Sequence, residues 1–296
     1  MASPQLEMII QLLRSRPAIV DFDVVRLRQG LEALVGTSPV PEGVACTPLR
    51  VADVPCEWIV ADGARDDAVL LYLHGGGYCI GSINTHRALV SRLSAATAMR
   101  GLAVDYRLAP EHPFPAALDD ATAVYRWLLG QGVAPERVVV AGDSAGGGLT
   151  LATLLATRDA QLPRPAGGVC LSPWTDLEVT GATMDSHAER DPMIRRDGAL
   201  RLAAAYLGAA PARTPLASPL HADLRGLPPL LVQVGTAETL LDDSVRLAER
   251  ARAADVDVTL EPWEDMIHVW QAFAPLLPEA DEAIAAIGSW VRARVP

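Results

Sequence analysis

"VVVAGDSAGGGLT", residues 138–150, sets a serine between glycines directly after three β-branched residues. Val138, Val139 and Val140 read as a short buried strand. Gly142 to Gly146 then fit G-x-S-x-G, and Leu149, Leu151, Leu154 and Leu155 continue at helical spacing. A strand, a sharp turn and a helix follow one another with Ser144 at the corner. A serine hydroxyl is a poor nucleophile near neutral pH. It needs a base within hydrogen-bond reach, a third group to orient that base, and donors for the developing oxyanion. An ordinary glycine turn is the plain alternative, and the strand before and the helix after Ser144 argue against it.

Working outward, the chain alternates. Strand-like runs occupy 56–61, 68–75 and 101–108, with a helix expected at 84–98 and another at 116–129. Strand 137–142 leads to helix 144–158 and strand 167–172. Further on come strand 230–235, helix 242–254, strand 256–262 and a last helix at 279–294. Such alternation implies a mostly parallel sheet covered on both faces. The interval 173–228, rich in Pro and Ala with one clear helix at about 197–207, breaks the rhythm and reads as an insertion. Residues 1 to about 45 read as two amphipathic helices. The first repeats Leu6, Ile9, Ile10 and Leu13 before Pro17, and the second runs from Asp21 to Leu34. Together with the insertion they are expected to form a lid.

Composition narrows the chemistry. Half of the 296 residues are hydrophobic, enough for a sizeable core. The net charge of −11 repels a phosphate backbone, so nucleic acid is not an expected partner. All 25 basic residues are arginine, which excludes Schiff-base lysine chemistry, a P-loop lysine and the S-x-x-K acyl-transfer set. No apolar stretch is long enough to span a membrane and no secretory signal is apparent. The four cysteines lack C-x-x-C spacing and are expected to be reduced thiols in a cytoplasmic protein. No H-x-x-x-H pair or ligand cluster stands out, so neither metal nor cofactor is expected.

Two further pieces complete a candidate site. "YLHGGGYCIG", residues 72–81, places His74-Gly75-Gly76-Gly77 after a strand. Consecutive glycines let a backbone approach a ligand closely with its N–H groups outward. The motif lacks G-x-G-x-x-G spacing and no lysine is present, which ranks a phosphate loop low. Among six histidines, His74 belongs to this loop, His112 lies between prolines, and His86, His187 and His221 fall in helix-start or lid segments. His268 follows the last expected strand. Loops beyond the carboxyl ends of parallel strands meet on one rim, so His268 is the expected base for Ser144. In "GTAETLLDDS", after strand 230–235, Glu238, Asp242 and Asp243 compete as the orienting acid. Glu238 is nearest the strand end, whereas Asp242 and Asp243 look like the cap and first turn of the next helix.

These pieces resemble the hormone-sensitive lipase family, the bacterial family IV carboxylesterases within the α/β-hydrolases. "HGGGYCIG" is similar to the family's oxyanion motif and "GDSAGG" to its nucleophile motif. "DYRLAPEHPFPAALDD" (105–120) and "SPL" (218–220) before "LPPLLVQVGTAE" also fit, in the family's order. The resemblance implies an α/β-hydrolase fold: an eight-stranded, mostly parallel sheet flanked by helices. A helical cap would come from residues 1–45 and an insertion at about 173–225 in a catalytic domain spanning 46–296. It implies attack by Ser144, proton transfer by His268, and an oxyanion held by the N–H groups of Gly75, Gly76 and Ala145. His74 would be structural. The family's acid is aspartate in D-x-L-x-D, where this chain reads Glu238-Thr239-Leu240-Leu241-Asp242, and its usual glycine before the histidine is Asp265. The expected activity is hydrolysis of small, short-acyl carboxylic esters through an acyl-enzyme. Lactone or amide hydrolysis by the same residues is one alternative, and a non-catalytic small-molecule receptor on the same fold is another. Strand 256–262 would lie at a sheet edge, and pairing of two copies through it is the corresponding hypothesis for a homodimer.

Overall fold

The three valines that open the quoted stretch lie at the centre of the sheet, and they do so because the strands on both sides are equally apolar. The computed structural model describes residues 3–15, 23–36 and 39–296. Helices α1 (Pro4–Arg14) and α2 (Val24–Val35) precede strands β1 (Val44–Val51), β2 (Val54–Ala61) and β3 (Arg65–Leu73). Then follow α3 (Ile83–Thr97), β4 (Met99–Val104), α4 (Ala116–Gly130), β5 (Val138–Asp143), α5 (Ala145–Asp159) and β6 (Gly167–Leu171). The interval between β6 and β7 holds α6 (Thr183–Ser186) and α7 (Arg196–Leu207). Strand β7 (Leu230–Gly235), α8 (Leu241–Ala253), β8 (Val258–Trp263) and α9 (Pro278–Arg292) complete the chain.

The eight strands form one sheet in the order β1-β2-β4-β3-β5-β6-β7-β8. Strand β2 runs antiparallel to β1 and β4, and every other pairing is parallel. Side chains alternate across it, as strand geometry requires. Val69, Leu71, Leu73, Val138 and Val140 join Leu149 and Leu247 on one face, with α4, α5 and α8. Leu70, Tyr72, Val139 and Ala141 join Leu89, Val90, Ile287 and Val291 on the other, with α3 and α9. A third cluster seats Leu6 and Ile9 of α1 on Ala237, Met266, Ile267 and Trp270, so α1 leans on the two loops that carry Glu238 and His268.

One strand was not foreseen, and one expected strand is shorter than its sequence suggests. Strand β1 was not legible, because its pattern VACTPLRV buries only Val51. It is an edge strand, and Pro48 is tolerated there because an edge residue can lack a ladder N–H. Strand β4 ends at Val104 instead of 108, because the Arg107 N–H and guanidinium turn away to hold Asp120 of α4, with contacts of 2.7–3.0 Å. Pro17 and Asp21 lie outside the described residues, and α2 begins at Val24, capped by Asp23.

Candidate active site

Ser144 occupies the turn between β5 and α5 with φ 53° and ψ −121°, a left-handed conformation rarely adopted outside glycine. The flanking glycines permit it by their lack of side chains. A Cβ on Gly142 would stand 2.3 Å from the Gly146 carbonyl oxygen, and one on Gly146 would stand 1.9 Å from that of Leu73. The strand and helix therefore cross at backbone contact distance, which drives the serine side chain out of the turn. Ser144 N–H donates to the Leu171 carbonyl at 2.8 Å, and the Ser144 carbonyl accepts from Trp174 N–H at 2.9 Å, so the corner is fixed against the end of β6.

His268 lies in the loop after β8, and its Nδ1 is 2.7 Å from Glu238 Oε2 in the loop after β7. The other Glu238 oxygen accepts from Ser172 Oγ at 2.8 Å and from Gly235 N–H at 2.6 Å. Ser172, directly after β6, also accepts from Val269 N–H at 3.1 Å. One hydroxyl thus ties the acid to the residue next to the imidazole, beside the strand end that fixes Ser144. All of these groups are buried. Burial by itself would push the His268 imidazole down. The hydrogen bond and charge of Glu238, with the negative charges of Asp191 and Asp143, outweigh it and hold His268 above the ordinary histidine value.

The competing acids are engaged elsewhere. Asp242 accepts from Thr183 N–H at 3.1 Å. Asp243 accepts from the N–H groups of Thr175 and Asp176 at 2.7 and 2.9 Å, and burial pushes its carboxyl up to about 7. Of the three candidates, Glu238 alone meets the imidazole. Asp265 has φ +61°, a left-handed position at which the resemblance expects glycine and which Asp tolerates.

The glycine loop requires a correction. Gly75 N–H donates to Asp143 Oδ1 at 3.0 Å, so it is not free to meet an oxyanion. Among the described residues, no acceptor engages the N–H of Gly76, Gly77 or Ala145. Gly76 and Gly77 have φ +117° and +60°, which turn the amides of this stretch to directions a side chain would hinder.

A profile described as alpha/beta hydrolase fold matches residues 70–272. The chain is 45% identical over 296 residues to an acetyl-hydrolase of Streptomyces hygroscopicus, covering 99% of this chain and 97% of that one. It superposes at a TM-score of 0.97 and 51% identity, with both chains covered in full, on an esterase from the bacterial hormone-sensitive lipase family. A crystal structure of EstE5 soaked with p-nitrophenyl butyrate matches at TM-score 0.96 and 45% identity over 99% of each chain. The chain belongs to the α/β-hydrolase fold family, in its hormone-sensitive lipase branch.

In this hydrolase a second histidine–carboxylate pair, a partly buried His86 on a buried Asp143, lies beneath the glycine loop, and sequence reasoning missed it. Asp143, the residue before Ser144, accepts from Tyr72 Oη at 2.7 Å and from Gly75 N–H, and stands 3.3 Å from His86 Nε2. Burial would raise Asp143, but His86 and the Tyr72 hydroxyl outweigh it and hold the carboxyl below its usual value. His86 is raised against its own burial by Asp143. The only sequence signal was the acid's place inside the G-D-S motif. His74 is structural, as the resemblance implies: its Nδ1 meets the Gly75 carbonyl at 2.8 Å, its ring stacks on Tyr106, and burial pushes it down to about 3.

Folding also gathers Asp176, Glu178 and His221 with ligand atoms within 4.8 Å of one another. Arg246 and Arg213 already pair with the two carboxylates at 3.1 and 2.6 Å, so this is an ion-pair network and not an open cation site. All four cysteines are free. Burial pushes Cys56, Cys79 and Cys170 up to about 12, which leaves them unreactive.

Proposed function

We propose that this enzyme hydrolyses small, short-acyl carboxylic esters through an acyl-enzyme on Ser144. That it is a carboxylic ester hydrolase follows from its kinship with named esterases and acetyl-hydrolases along its whole length. The short-acyl preference is supported by the butyrate ester introduced into EstE5 and by the acetyl-hydrolase relative. The observation that carries the site assignment is the 2.7 Å contact between His268 and Glu238, tied through Ser172 to the strand end beside Ser144.

In this reading His268 Nε2 takes the Ser144 proton as Oγ attacks the ester carbonyl carbon. Glu238 holds Nδ1–H and stabilises the imidazolium that forms. The carbonyl oxygen becomes an oxyanion met by backbone N–H groups, for which Gly76, Gly77 and Ala145 have donors to offer and Gly75 does not. The tetrahedral intermediate collapses by breaking the bond to the alcohol oxygen, which leaves with the proton from His268. Water then repeats the cycle on the acyl-enzyme and releases the acid.

The lid belongs to the same proposal. Arg14 of α1 donates to the Glu189 carbonyl at 2.8 Å, and Tyr206 of α7 stacks on Tyr78 of the glycine loop at 3.7 Å between ring centres. These contacts support reading the N-terminal helices and the 173–225 interval as one cap over the site. Four free thiols and a helix set with no member long and apolar enough to cross a membrane, among the described residues, support a cytoplasmic setting. A homodimer joined through β8 completes the proposal.

Ser144→Ala is expected to lower kcat/KM for p-nitrophenyl butyrate by about 10⁴–10⁶-fold while the melting temperature is kept. Retained turnover in that variant would remove the reading.

A further inference from the structure

Asp191 lies in the insertion, 47 residues past Ser144 in sequence, and nothing in its setting reads as catalytic. Yet it is fully buried, with 0% exposure. Both carboxylate oxygens are used, and they face different parts of the chain. Oδ1 accepts from Met193 and Ile194 N–H at 2.8 and 3.0 Å, closing its own turn. Oδ2 accepts from Thr239 N–H at 2.8 Å and Thr239 Oγ1 at 3.0 Å. Thr239 directly follows Glu238. The Thr239 carbonyl in turn accepts from Thr183 Oγ1 at 2.8 Å, so the insertion grips this residue from two sides.

A buried carboxylate is tolerated when donors or a counter-ion offset its desolvation. Four donors serve Asp191, but among the described residues no ion pair reaches its carboxylate. Arg195 donates to the Asp191 carbonyl oxygen instead, at 2.8 Å, and Arg190 pairs with Asp265 at 3.6 Å. The carboxylate is therefore held by its own turn on one side and by the residue next to Glu238 on the other.

We propose that Asp191 is a positioning residue for the Glu238–His268 pair: it clamps Thr239 and so fixes the loop that carries the acid. This rests on the acyl-enzyme reading of Ser144 and His268. The clamp restricts the rotation of Glu238 about its own backbone, which its hydrogen bonds to Ser172 and Gly235 would otherwise define alone. The group in contact with the His268 ring is Glu238, from the loop after β7, and among the described residues Asp191 acts on that pair through Thr239.

Asp191→Asn tests this on the full chain. The acid limb of the kcat/KM–pH profile is expected to move down by about half a pH unit, since a Glu238 no longer held by the clamped loop favours imidazolium less. The kcat is expected to fall about tenfold with KM within about twofold, the scale of one lost hydrogen bond to a charged group. An unmoved acid limb overturns the proposal, whether or not kcat falls, because a merely structural residue would not move it. Should Asp191→Asn fail to fold, Thr239→Val keeps the charge and the N–H but removes the hydroxyl donor. It is expected to lower kcat about threefold, with recovery in Thr239→Ser, and an unchanged kcat in Thr239→Val overturns the clamp. Ser144→Ala, run alongside with organophosphonate labelling, separates the two claims. An active Ser144→Ala defeats the acyl-enzyme reading, whereas an inactive one beside an unaltered Asp191→Asn defeats the clamp alone.

Discussion

Glu238 reaches His268 with a side chain one methylene longer than the aspartate of the family pattern, and the contact is 2.7 Å. Shortening it to Asp would withdraw the carboxylate by about 1.5 Å and open that contact unless the loop follows. Glu238→Gln keeps the length and removes the charge. Its expected effect is a fall in kcat of about 10³–10⁴-fold, because the imidazole loses both its orientation and its partner charge. The sign of the pH effect follows from the causes acting on His268. Glu238 raises it and burial lowers it, so removing Glu238 leaves burial to act and the acid limb of kcat/KM moves to lower pH. A pH–rate profile of residual activity on a butyrate ester checks this, and an unmoved limb would count against Glu238. The contact between Glu238 and His268 follows the expectation from chain order and strand-end position, and Ser144 lies at the strand–helix corner that the motif predicts. Gly75 was misread for a physical reason. Which amide of a glycine run is free depends on where each N–H points, and that is set by φ values of +117° and +60° and by the acceptor on Asp143. Asp191 was not legible at all, since its partner Thr239 is 48 residues away in sequence.

At the scale of elements, the end of β5 does two tasks with adjacent residues. Ser144 turns into α5, and Asp143 reaches back to pin the glycine loop after β3 and His86 at the start of α3. The β5 and α5 boundaries were readable to within a residue, because three valines and a helical leucine spacing meet at a glycine motif. The third partner, α3, was readable as a helix, but its use of His86 was not, because nothing local marks which helical histidine will face a carboxylate. His86→Ala leaves Asp143 as a buried carboxylate without its counter-ion, and is expected to lower unfolding stability by about 3 kcal/mol in chemical denaturation near pH 6. The difference from the parent has a defined pH window. The raised His86 contributes fully below its unfolded value of 6.5 and loses its contribution as pH rises through its higher folded value. The depressed Asp143 contributes fully above 3.8 and loses its contribution as pH falls through its lower folded value. The penalty should therefore be largest between pH 3.8 and 6.5 and shrink on both sides. A penalty that grows steadily toward alkaline pH would contradict the pairing.

For the whole molecule, the two ends of the sheet differ in how much apolar surface their edge strands leave open, although each carries a proline. At the β1 edge, Pro48 lacks a ladder donor, most residues face water and Arg50 turns back onto the Asp53 carbonyl at 2.5 Å, features that discourage further pairing. At the β8 edge, all six residues from Val258 to Trp263 are partly exposed or exposed, although their inner side pairs along the whole of β7. Val258 and Leu260 pack on the main core yet remain half-open, and Trp263 leans on Trp270 with ring centres 5.7 Å apart. Pro262 lacks a ladder donor as Pro48 does, so the part of this edge that can serve as a template for a second strand, by its apolar side chains and unpaired backbone, is Val258–Glu261. The copy-to-copy alternative satisfies both by twofold symmetry, since one strand then pairs with itself across the axis. The net charge of −11 per chain opposes association at low salt, so pairing should strengthen as salt screens it. Light scattering at about 0.15 M salt is expected to give twice the 31.4 kDa chain mass, with the dimer fraction falling at low ionic strength. A mass of one chain at every salt concentration would leave the β8 edge facing solvent, and the hypothesis would then be wrong.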